Sequence, residues 1–188
     1  MTPVPTPATS QPGRSRTDTA ARPGVVAGTV LRAARLSAGL SQAALATAVQ
    51  AALATAVNVT PGIVRSWENG SHPLASVPMP DVAHLETALL THGADQQLVA
   101  DLSAAAWCDL IILAVADNED PTCLIADPIT SDFPFRELLA WSLTGRIPAR
   151  YRPFAAGQSL VGLDLAERIM YVLDAIYPPL AAACRSAG

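Results

Sequence analysis

The eight-residue word QAALATAV is written twice in succession over residues 42–57. A repeat this short dictates its own geometry. Eight residues at about 100° each carry a helix about 80° past two full turns and lengthen it by about 12 Å. With Gln42 set at zero, Leu45, Val49, Leu53 and Val57 fall within about 120° of one another. Thr47, Thr55 and Asn58 fall on the other side, and Gln50 borders the apolar arc. The doubled word therefore makes one coherent amphipathic helix over about 42–57, and its alanines favour that state.

The flanking segments are also helical in pattern, each bounded by a cap or a stop. From Val25 to about Gly39, Val26, Val30, Ala33 and Ala34 share a face, and Gly39 is a C-terminal stop. Ser41 caps the doubled helix. Thr60, with Pro61 at the first helical position, starts the next, and Gly70 ends it. Asp81 is placed as the cap of a fourth helix, VAHLETALLTHG. A long helix runs from about Asp95 to Ala116. Residues 118–132 read as an acidic loop, and 135–145 as a helix. The last predicted helix, GLDLAERIMYVLDAIY, carries a stripe of Leu163, Ala166, Ile169, Met170, Leu173 and Ile176. Asp164 is its expected cap, and Pro178 and Pro179 its stop. No alternating strand pattern occurs, so the expected fold is all-α.

Residues 1–24 are rich in Pro, Thr and Ser and lack a core-forming pattern, so they are expected to be disordered. Arg14, Arg16 and Arg22 lie in this tail, read as solvated, with an arm following DNA as the alternative. The chain has 188 residues, no lysine, 12 arginines and a net charge of −4. That charge argues against a generic nucleic-acid-coating protein. Cys108, Cys123 and Cys184 have no metal-ligand spacing and read as buried reduced thiols. There is no secretory leader pattern, and the apolar run 104–116 is interrupted by Asp109. A cytoplasmic location without membrane contact is expected.

GLSQ at 39–42, Leu45, Ala46 and Val49 with their second copies, and Val59, Thr60, Val64, Trp67, Glu68 and Gly70 stand in a defined order. This pattern over about 28–93 resembles the helix-turn-helix of phage-repressor-like (XRE-type) transcriptional regulators. The resemblance implies that one short helix lies in the major groove while another braces it. It implies that Thr60 and the amides after it contact phosphate. Pro61, Gly62, Arg65 and Ser66 take the outward positions that read bases. Gln42, and Gln50 in the second copy, take the position that touches phosphate. Val59, Val64 and Trp67 are core.

The chain departs from the family in two respects. Pro61 and Gly62 offer no side-chain hydrogen bond to a base, which leaves Arg65 for guanine, Ser66, and Ile63 for a thymine methyl. Arg32, Arg35 and Arg65 face Glu68, Asp81, Glu86 and Asp95 between residues 25 and 95, a balance with little attraction for phosphate. The second departure is the repeat, which is expected to weaken or re-aim docking on DNA.

Residues 95–188, above all FRELLAWSLTGRIPARYRPFA, resemble the C-terminal parts of small actinobacterial XRE-type regulators. The helix around 98–115 is apolar about much of its girth, with Leu98, Leu102, Ala105, Leu110, Ile111, Leu113 and Ala114. It is either central to a bundle or shared with a second copy. Arg146, Arg150 and Arg152 are read as partners of the acidic loop Asp117–Asp132, with an anion patch as the alternative. No catalytic constellation, metal site or cofactor motif is recognised.

The expected organisation is a tail (1–24), a helix-turn-helix domain (25–93) and a helical dimerisation or sensing domain (95–188). The expected function is a homodimeric, non-enzymatic regulator of transcription on double-stranded operator DNA, open to a protein partner or small-molecule effector. The alternative is a protein-interaction module that keeps the fold and has lost or weakened DNA binding.

Overall fold

A computed structural model describes residues 24–52, 59–126, 132–157 and 159–186. Its described residues form nine α-helices, two 3-10 turns and no strand, so the fold is all-α. The helices are α1 Val25–Ser37, α2 Gln42–Ala52, α3 Pro61–Glu68, α4 Met79–Thr91 and α5 Gln96–Ala116, followed by α6 Thr122–Ile125, α7 Phe133–Thr144, α8 Leu163–Ile176 and α9 Pro178–Ser186.

The most apolar helix is the axis of the molecule. α5 has 21 residues and is long and apolar enough, by length and composition, to cross a membrane. Here 67% of its most apolar window is buried inside the chain itself. α1 lies along it, and α7, α8 and the short α6 also pack on it. α9 packs on α7 and α8, while α2, α3 and α4 group at the α1 end. One hydrophobic core runs through all of them, from Val26 and Leu31 to Trp141, Tyr151 and Cys184.

Two buried carboxylates on α5 hold its neighbours in place. Both oxygens of Asp109 accept backbone N–H bonds, from Val26 and Ala27, at 2.9 Å each. They cap the first turn of α1, whose own N-cap residue, Gly24, has no side chain to do so. Burial pushes the Asp109 pKa up to about 7, outweighing the two amides that pull it down. About two turns earlier on α5, Asp101 accepts from Arg150 Nε at 2.7 Å and from the Tyr151 hydroxyl at 2.6 Å. Arg150 also binds Glu137 of α7 and stacks 5.0 Å from the Tyr151 ring centroid.

Most caps lie where the sequence placed them. Ser41 Oγ accepts from Ala44 N, and Gly39 is left-handed with φ +68°. Asp95, expected as the first residue of α5, is its cap instead, Oδ1 accepting from Gln97 N and Leu98 N. Several expectations need correction. α4 begins at Met79 behind Pro78, and Asp81 sits within its first turn without capping it. Asp164 likewise lies in the first turn of α8 behind Gly162. Leu163 is not in the α8 stripe; it is exposed, and Leu165 is buried instead. Pro178 does end the α8 region, but it opens α9, which suits a residue with no N–H to place in a first turn. The acidic loop contains the short α6. Arg150 pairs with α5 and α7 rather than with that loop, and Cys123 is exposed. The tail to residue 23 with its three arginines, and the 53–58 part of the doubled helix with Leu53, Thr55, Val57 and Asn58, lie outside the described residues.

Candidate nucleic-acid interface

α3 is eight residues long, too short to persist alone, so its position depends on its ends and its buried face. Thr60 is extended (φ −106°, ψ 162°), and its hydroxyl oxygen accepts the Ile63 N–H at 3.3 Å. Pro61 follows at the first helical position, where no N–H is needed. Val64 and Trp67 are buried beneath the helix. Pro61, Gly62 and Arg65 are exposed and Ser66 is half-buried, its hydroxyl donating to Ile63 O at 2.7 Å. Five of the seven predicted site residues thus share one short helix and its cap.

The other two are tied up elsewhere. Gln42 Nε2 donates to Glu68 at 2.7 Å. Gln50 Oε1 accepts the Val59 N–H at 2.8 Å. α2 therefore runs beside α3 in the opposite sense, its start at the end of α3 and its body beside the entry to α3. The two copies of the repeated word do different work. The glutamine of the first donates to a side chain, and that of the second accepts from the backbone just ahead of Thr60.

Glu68 is the corner where three helices meet. Besides Gln42 it receives Arg35 Nε at 2.5 Å and Nη2 at 3.2 Å, while Arg35 Nη1 donates to Leu40 O. Both members of this ion pair are buried, at 8% and 5% side-chain exposure. Arg35 is therefore spent internally. The cation on the outer face of α3 is Arg65, with Arg32 exposed on α1. α1 also approaches the end of α3 at Gly28, where a Cβ would stand 2.5 Å from Trp67 O and 2.7 Å from Glu68 O.

No family model, curated protein or solved structure matches this chain. The site accordingly rests on its own geometry. An exposed helix N-terminus with one early amide left over, that of Gly62, a hydroxyl, one guanidinium and almost no side-chain bulk can approach an anionic, grooved surface closely. Among the described residues no group of three or more His, Cys, Asp or Glu is placed to hold a metal ion. Sequence reasoning missed the Arg35–Glu68–Gln42 cluster. Its members lie up to 33 residues apart, and no local spacing announces them.

Proposed function

We infer that the chain is a sequence-specific DNA-binding regulator of transcription, without enzymatic activity, that works as a homodimer on double-stranded operator DNA. One observation carries this reading: Thr60, Pro61, Gly62, Arg65 and Ser66 lie together on the outward side of α3, whose other side is anchored by Val64 and Trp67. α2 braces that helix as the first member of a helix-turn-helix would. Thr60 and the Gly62 amide meet phosphate, and Arg65 reads guanine. Gln42 and Gln50 act by holding the element together, through Glu68 and Val59.

The scarcity of side-chain readers favours a second reading, a protein-interaction module with the same fold. Arg65 is the single arginine of α3, and Arg35 is neutralised by Glu68. The two readings part on one experiment. The full chain is titrated onto labelled DNA from its own upstream region, against a scrambled duplex, at two salt concentrations. Specific binding that weakens with salt supports the regulator. Arg65→Ala is then expected to cost about 1–3 kcal/mol and to relax preference at one base pair. No binding at micromolar protein, to that region or to a random-fragment pool, moves the reading to the interaction module. A variant lacking residues 50–57 is expected to bind DNA more tightly than the parent.

The pairing surface of the dimer is not α5, which its own chain covers. Leu163 and Tyr171, 74% and 79% exposed on α8, are the first positions to substitute in a sedimentation assay.

A further inference from the structure

A cavity of about 580 Å³ opens between α1, the end of α3 and the segment that follows the second 3-10 turn. Its walls include Arg32 from α1 and Arg152 from that segment, two cations separated by most of the chain. Both are exposed, and neither side chain has a hydrogen bond or an ion pair among the described residues. Glu68 also reaches the wall, but its charge is already met by Arg35 and Gln42. Besides Thr29 the rest is apolar, chiefly Phe154 and Leu160, both half-buried. Trp141 lies fully buried beneath this wall.

These features belong together. Two unpaired guanidiniums on one cavity attract an anion and grip it in a planar fork. The half-buried Phe154 offers a flat apolar face to a ring. The volume lies in the range of small-molecule pockets, about 300–1,000 Å³. We propose that this cavity binds a small aromatic anion, a carboxylate or phosphate monoester, with Arg32 and Arg152 on the charged group and the ring against Phe154. The binding itself does not depend on the DNA reading. Its consequence does: an occupant would touch the wall made by Glu68, and so bear on the seat of α3.

The test is calorimetric titration of the full chain with phenyl phosphate and with benzoate. Inorganic phosphate tests the charged group alone, and benzyl alcohol the ring alone. At least one aromatic anion is expected to bind saturably at one site per chain, about tenfold or more tighter than either half. Arg32→Gln and Arg152→Gln are each expected to weaken it about tenfold, while Arg185→Gln, outside the cavity, leaves it unchanged. Both cavity arginines are exposed, so circular dichroism should show both variants folded. A duplex DNA arm distinguishes the other source of phosphate. If the two substitutions weaken duplex binding and leave phenyl phosphate and benzoate untouched, the arginines are backbone contacts and the proposal fails. It fails equally if neither aromatic anion binds saturably at millimolar concentration, or if binding is indifferent to both arginines. Failure of the DNA reading alone, with tight aromatic-anion binding intact, leaves the proposal standing.

Discussion

Glu68 ends the shortest of the N-terminal helices, yet three elements hang on its carboxylate. Glu68→Ala would strand the Arg35 guanidinium at 8% exposure with only Leu40 O as partner. A loss of about 3–5 kcal/mol is expected from the urea midpoint at unchanged m. Replacing Arg35 and Glu68 together by methionine should recover much of it, because two matched apolar groups bury at less cost than one bare charge. Asp109 makes a separate prediction about pH. Its folded pKa is raised to about 7, against about 3.9 in an unfolded chain. Between those values the folded state keeps a proton that the unfolded state has released. The contribution is therefore fully present below about pH 4 and is lost as pH rises through about 7, at up to about 1.4 kcal/mol per pH unit. Urea titrations across that window should show Asp109→Asn with a flatter slope than the parent; equal slopes would remove Asp109 as the cause. The sequence shows both residues without their partners. Arg35 enters there as one charge in a balance and Asp109 as an interruption of an apolar run, because their partners lie 33 and 83 positions away.

At the scale of elements, local signals were legible and neighbours were not. Gly39, Ser41, Thr60 and Asp95 act on residues within about one helical turn, so a linear string contains their logic. Proline is less decisive: Pro178 was read as a stop and is also the start of α9. Five of the candidate residues were legible as a group because one helix and its cap hold them all, whereas the partners of Gln42 and Gln50 depend on how α2 lies on α3. Two glycines test the element level. At Gly28 an added methyl would meet the last carbonyls of α3, so Gly28→Ala should push the helices apart and cost about 1–3 kcal/mol in thermal or urea unfolding. At Gly62 the nearest atom to a new Cβ is Thr60 Oγ1, 3.6 Å away, so alanine fits. Gly62→Ala should stabilise the fold by about 0.4–1 kcal/mol. If α3 sits in a groove, the same methyl should weaken binding to duplex DNA. A gain in stability with undiminished DNA affinity would argue against close approach at that position.

Across the whole molecule, the boundary near residue 94 divides the text of the chain more sharply than its packing. α1 lies along α5, is capped by it, and shares its core. A fragment ending at residue 93 would bare Val26, Val30 and Leu31 and leave the Val26 and Ala27 amides without their acceptor. It is expected to show no cooperative melt by circular dichroism. The full chain should unfold in one transition, with circular dichroism and tryptophan fluorescence coincident. A sharp melt of the fragment would show that the N-terminal helices stand alone.

The borrowed cap on α1 also sets an order of events during synthesis. The first of the described helices to leave the ribosome is completed by a carboxylate encoded 83 residues later. At about 5–20 residues per second, that residue follows some ~4–17 s behind. For that interval the nascent N-terminal segment has helical sequence but neither its cap nor the surface it packs on. A chaperone that holds emerging apolar segments has its longest opportunity there, and a translational pause before residue 109 would lengthen it.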